Sequence, residues 1–291
     1  MTADARKTDE TVEVMKRRLR STLRQARDKA GLTQKDAADQ QGWSVSKIVR
    51  IELGAVLASP ADVRALLSLY GFGDPKLVAD MADLAKRARE GKGYAEYADV
   101  YSAEALDLFG NESAAKVIYK YEPVLVPGVF QTEEYARAVL FAFKNSQESV
   151  ERKLEVRLAR RQILEGDPRP ELNFIISETS VRTPVGGSAV MRHQLDHLCE
   201  LATQPNISLQ LLPFAAGVHL GLGEAFTVLQ FDETLEDLLF LEAAAKDTVS
   251  RDDPLLISRY LERFAELKQA AAAPEQSVVL LQEIAQAYSA S

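Results

Sequence analysis

The chain has 291 residues, 46% of them hydrophobic and 27% charged, with a formal net charge of −8; this is the make-up of a soluble globular protein with room for one small domain and one larger one. No uninterrupted apolar run approaches the roughly 20 residues of a bilayer-spanning helix, and the first ten residues lack the basic start and apolar centre of a secretory signal. Cys199 is the single cysteine, so no intrachain disulfide can form and the expected setting is a reducing cytoplasm. The charge is unevenly divided. Residues 1–90 carry 17 basic and 13 acidic side chains, and residues 91–291 carry 18 and 30. A head of net positive charge on an acidic body can hold one end of the chain to a polyanion and keep the other end off it.

In chain order, residues 1–10 are polar and expected to fray. A helix follows, with Met15, Leu19, Leu23, Ala26 and Ala30 at steps of three and four and basic residues between them. Residues 32–54 then read as two short helices around a tight turn. Thr33 is an N-cap and Asp36, three residues on, completes a capping box. That helix runs to about Gln41, where Gly42 can take the left-handed conformation that closes it. Trp43 plugs the turn, Ser44 caps the second helix and Gly54 ends it. Ile48 and Ile51 share one side of this helix, while Ser46, Lys47 and Arg50 show on the other with no acid among them. A short helix buried on one side and bearing donors on the other suits a DNA major groove. A plain helical hairpin would explain the caps but not the charge: residues 15–54 hold ten Lys or Arg against four acids.

Ser59, Pro60 and Asp62 start a helix over about 60–70, stopped by Gly71, and Asp74-Pro75 starts another that reaches about Glu90. These five helices make a DNA-binding head, residues 1–90. Gly91-Lys92-Gly93 is the expected boundary, and residues 94–291 form the second domain. There, Tyr94, Tyr97, Tyr101 and Leu108 fall on one helical face, read as core, and residues 112–121 continue as helix. Pro123 and Pro127 force an extended passage. Thr132 caps a helix, and a longer one over about 148–165 carries Arg152, Arg157, Arg160 and Arg161 and ends before Asp167-Pro168. Residues 172–176, 207–212, 225–231 and 238–241 are β-rich, with a helix at about 188–201 between the first two. Residues 250–254 lead into helices at about 254–272 and 275–288. The expected fold is therefore a mainly α five-helix head plus a larger α+β domain with a small sheet of about four strands.

Catalytic signatures are missing: there is no phosphate-binding Walker loop, no GxGxxG after a strand and no GxSxG elbow. No cofactor, catalytic residue or enzymatic activity is expected. His193 and His197 lie four apart on one helix, but Cys199 is rotated about 200° from His197, so a metal site would need further ligands and none is assigned. The glycine-rich links at 183–187 and 214–223 read as turns before they read as ligand lids.

Gly31-Leu32-Thr33-Gln34, Gly42, Ser44-x-Ser46-Lys47-Ile48 and Arg50-Ile51-Glu52-x-Gly54 resemble the helix-turn-helix of the Cro/C1-type, xenobiotic-response-element family of bacterial regulators. The resemblance implies that Gln34 starts the positioning helix and touches phosphate. Ser44, Val45, Ser46, Lys47 and Arg50 would face double-stranded DNA, and Arg27 and Glu52 would form an internal ion pair. Lys35, beside Gln34, is placed for a phosphate, and Val45 and Val49, where relatives often carry polar side chains, offer methyl groups to thymine. Downstream, Tyr121-Glu122-Pro123, residues 126–132, Tyr135-Ala136-Arg137-Ala138, Arg157-x-x-Arg160-Arg161-Gln162, Pro184-Val185-Gly186-Gly187 and Gln210-Leu211-Leu212-Pro213 resemble the WhiJ-like regulators of actinobacteria such as Streptomyces. This resemblance implies a transcription regulator whose second domain senses a small-molecule effector or a small partner protein encoded by a neighbouring gene. The alternative is an antitoxin-like autorepressor that binds such a partner. A homodimer joined C-terminal to Gly93 is expected, with no membrane association.

Overall fold

The computed structural model describes residues 10–166, 169–232, 235–243, 246–251 and 253–289. Most of the N-terminal stretch expected to fray, together with Asp167, Pro168 and Asp252, lies outside these described residues. The backbone divides into two units, Met1–Glu96 with Asp232–Glu236, and Tyr97–Phe231 with Asp237–Ser291.

The first unit contains helices α1 (Val12–Lys29), α2 (Gln34–Gln41), α3 (Val45–Glu52), α4 (Pro60–Leu69) and α5 (Pro75–Glu90). Each start has a local cause. Side-chain oxygens of Thr11, Thr33, Ser44, Ser59 and Asp74 accept backbone N–H bonds from the first turns, and Thr33–Asp36 and Ser59–Asp62 are complete capping boxes. The apolar stripe of α1 buries Leu19, Leu23 and Ala26 against Ile48 and Ile51 of α3 and Val63, Leu66 and Leu67 of α4. Removing these side chains from water at about 25 cal/mol per Å² supplies the main drive for the unit.

The second unit follows a 3-10 turn at Gly93–Tyr97 and is built on one sheet. Its elements are α6 (Ala103–Glu112), β1 (Val117–Glu122), α7 (Glu133–Ala142), α8 (Gln147–Ala159), α9 (Gln162–Glu165), β2 (Glu171–Ser177), α10 (Glu178–Arg182), α11 (Ser188–Leu201), β3 (Ile207–Leu212), β4 (Ala225–Gln230), β5 (Leu238–Glu242), β6 (Thr248–Ser250), α12 (Pro254–Ala270) and α13 (Pro274–Ser289). The strand order is β3-β2-β1-β4-β5-β6. β1, β2 and β3 are parallel, and β4, β5 and β6 continue from β1 as antiparallel neighbours.

Alternation sets the faces. Tyr121, Ile175, Phe226, Val228 and Leu239 pack with Ile257, Phe264 and Leu267 of α12. At the other end of the order, β3 is covered by the start of α13. Leu211 N donates to Ser277 Oγ at 2.9 Å, and Leu211 O accepts from Ala272 N at 2.9 Å. Those two bonds satisfy backbone groups that an edge strand would otherwise leave open to pairing.

Four expectations are corrected. The sheet has six strands rather than four, because residues 117–122 form β1 and residues 248–250 form β6. The helix therefore ends at Glu112, and residues 113–121 do not continue it. Val117, Ile118, Tyr119 and Tyr121 are β-branched or aromatic and sit between β2 and β4, where strand pairing on both sides overrides the helical lead of Ser113-Ala114-Ala115. The tyrosine face is not one helix either: Tyr94 and Tyr97 lie in the 3-10 turn, and Ser102 caps a separate α6. The arginine helix breaks at Arg160 and Arg161 into α8 and α9.

Candidate nucleic-acid interface

The interface is built by α2, the turn after it, and α3. Gly42 has φ of 65°, and the chain closes α2 with two bonds, Gly42 N to Asp39 O at 3.2 Å and Trp43 N to Ala38 O at 2.9 Å. That pair of bonds is a Schellman ending, which needs a left-handed residue at the turn. Two residues later Ser44 Oγ accepts from Lys47 N at 3.2 Å and opens α3. Ile48 and Ile51, 1% and 3% exposed, fix the inner side of α3 on the core. The outer side carries Ser44, Val45, Ser46 and Arg50, all exposed, and Val49, half-buried. Among the described residues no hydrogen bond or ion pair engages the Arg50 guanidinium. Lys35, in the first turn of α2, is also exposed.

Behind this face the three helices are tied at one carboxylate. Arg27 Nε donates to Glu52 Oε1 at 2.6 Å, Arg27 Nη2 donates to Oε2 at 3.0 Å, and Gln34 Nε2 donates to Oε2 at 2.8 Å. Arg27 Nη1 reaches Leu32 O at 2.8 Å, so the same guanidinium also holds the link from α1 to α2. The hydrogen bond to Glu52 raises the Arg27 pKa further, against the lowering effect of burial. Nearby, burial and then the Glu52 carboxylate push the Tyr70 phenol up to about 12. The network keeps α3 at a set distance and angle from α1 and α2.

Two residues expected at the DNA face are engaged elsewhere. Gln34 gives its amide N–H to Glu52. Lys47 Nζ lies 2.6 Å from Asp62 Oδ1 and 3.4 Å from the centroid of the Trp43 ring. Asp62 is depressed below the usual carboxylate range; burial opposes this most strongly, but hydrogen bonds from Lys47 and Ser59 outweigh it. Sequence reasoning read Asp62 only as a cap. The available signal was its place in the first turn of α4, since a carboxylate that caps through one oxygen keeps the other free for a cation.

Residues 18–81 match the helix-turn-helix domain, and residues 106–283, more than half of the chain, match the domain of unknown function DUF5753. The chain belongs to the DUF5753 family. No curated protein and no solved structure matches it. The helix-turn-helix domain marks a DNA-binding regulator.

The DUF5753 region contains the histidines considered for a metal. His193 Nδ1 lies 3.6 Å from Glu134 Oε2, and His197 Nδ1 lies 3.9 Å from Glu200 Oε2. Burial lowers the His197 pKa, with Arg161 adding to the effect, and burial raises the Cys199 thiol. Among the described residues no group of three or more His, Cys, Asp or Glu is placed to hold a metal ion. A shallow groove of about 420 Å³ runs between α7 and the start of α11, lined by Glu134, Arg137, Phe141, Gly186 and Val190 among others. The glycine-rich link 214–223 has a packing role at one point: a Cβ on Gly221 would lie 2.5 Å from the Tyr121 ring. Among the described residues no helix is long and apolar enough to cross a membrane.

Proposed function

We propose that the chain is a sequence-specific transcription regulator that binds double-stranded DNA as a cytoplasmic homodimer of the xenobiotic-response-element type. Its DUF5753 region receives the signal, from a small-molecule effector or a small partner protein, and performs no catalysis. The observation that carries this reading is the two-sided α3: Ile48 and Ile51 locked in the core, Val45, Ser46 and Arg50 presented to solvent. Arg50 can bond guanine O6 and N7 together, the commonest specific contact in a major groove, and Val45 offers methyl contact to thymine. Lys35 is placed for a backbone phosphate. A short recognition helix reads few base pairs, so two copies on half-sites one helical turn apart supply the selectivity.

Binding-site selection on the full chain at two salt concentrations tests the assignment. Arg50→Ala is expected to relax the preference at one position of the site, worth roughly 1–3 kcal/mol. Lys35→Ala is expected to weaken binding to every sequence and to reduce the salt slope by about one unit. Unchanged base preference in Arg50→Ala would mean that another element reads the groove.

A further inference from the structure

The recognition helix carries two cations, and they are treated differently. Arg50 is exposed, whereas the ammonium of Lys47 is held between two groups that are themselves fixed. Asp62 Oδ1 accepts from Lys47 Nζ at 2.6 Å, while its Oδ2 accepts from Ser59 N at 3.0 Å and from Ser59 Oγ at 2.7 Å. The carboxylate therefore cannot follow the lysine outward without breaking the cap of α4. Trp43, the second partner, is packed against the core of the first unit. A cation over an indole face and beside a carboxylate satisfies both attractions at once, and a phosphate would have to compete with the pair. Pulling Lys47 away would also leave the Asp62 carboxylate unneutralised beside α3.

We infer that Lys47 is a positioning residue for DNA recognition: it clamps the first turn of α3 to the start of α4 through Trp43 and Asp62, and so sets the angle at which Val45, Ser46 and Arg50 are presented. This inference rests on the proposed DNA-binding function. It differs from what the family resemblance implies, in which Lys47 itself faces the DNA. Because the ion pair is neutral as a unit, the clamp contributes nothing to the count of phosphates neutralised.

The test uses the full chain, the sequence enriched by the wild type, and four variants: Lys47→Arg, Asp62→Asn, Lys47→Met and the double variant Lys47→Met/Asp62→Asn. The double variant removes the clamp without changing net charge. It is expected to lower the ratio of specific to non-specific affinity roughly tenfold, the scale of one bidentate base contact, with an unchanged salt slope. Asp62→Asn alone is expected to lose base preference in the same way, and its loss and that of Lys47→Met are expected not to add in the double variant. Lys47→Arg is expected to restore the wild-type preference, since a guanidinium can both stack on Trp43 and pair with Asp62. A purely structural role would move the melting temperature but leave the preference of the folded protein intact; that outcome overturns the inference. So does a salt slope about one unit lower in the double variant with wild-type preference in Asp62→Asn, which would place Lys47 on a phosphate. Should the double variant fail to fold, Asp62→Asn and Lys47→Arg decide alone. A wild type that enriches no sequence would instead overturn the DNA-binding reading itself, and this inference with it.

Discussion

Arg27 and Glu52 show what a single residue pair does for the first unit. Their side chains are 10% and 5% exposed, and the carboxylate also holds Gln34. Removing the arginine strands a buried acid between three helices, and breaking a buried pair from one side costs about 3–5 kcal/mol. Arg24, one turn away on α1 and 45% exposed at its side chain, pairs at 3.7 Å with Glu236, which is 33% exposed, so its loss strands no buried acid there. In urea unfolding followed by circular dichroism, Arg27→Ala is expected to shift the midpoint of the first unit well below that of Arg24→Ala. Equal midpoints would mean that the pair is wet in solution. At this scale the sequence was legible in part. The spacing of Arg27 and Glu52 matches a known pattern, but the turn of Gln34 toward Glu52 and of Lys47 toward Asp62 depends on where neighbouring helices bring their partners.

At the scale of the element, ends were more legible than interiors. A cap is a contact between residues two or three apart, so Thr33, Ser44, Ser59 and Thr132 could be read without knowing the fold. Gly42 makes the same point at the other end of α2. Nothing lies within 4 Å of a Cβ built there, so the cost of a side chain is the positive φ alone. Gly42→Ala is expected to destabilise the first unit by about 1 kcal/mol, and Gly42→Asn by less, because asparagine tolerates the left-handed region better. Chemical denaturation of both variants checks the order; alanine and asparagine of equal cost would argue that the turn rearranges. β1 is the counterexample. Its apolar and aromatic residues were present in the sequence, but their use as a strand depends on β2, 54 positions ahead in register at Val117↔Glu171, and on β4 beyond it. β6, three residues long, is too short to leave a periodic signal.

For the whole molecule, charge partition and the size of the recognition helix set the expectation. The basic residues of 15–54 belong to the first unit, and the acidic excess of 91–291 lies mostly in the second. Binding to DNA should therefore fall steeply with salt even though the protein's net charge is −8. An α3 of eight residues supplies only a few base contacts, so a homodimer is the expected binding form. Light scattering on the full chain at micromolar concentration, with and without the enriched DNA, is expected to give twice the chain mass. A monomer under both conditions would remove the dimer from the proposal.

The sequence by itself determined the helix-turn-helix, its caps, the closing glycine of α2 and the basic character of the head, because each rests on contacts within a turn or on composition. It also marked an α+β second domain through its β-rich runs. Only the tertiary structure decided that the sheet has six strands with β1 inside it, that Glu52 gathers three donors, and that Lys47 is spent on Asp62 and Trp43 rather than left free beside Arg50. The physical reason is common to all three: a strand needs a neighbour and a buried charge needs a partner, and in this chain those partners arrive from distant segments only once the core has formed.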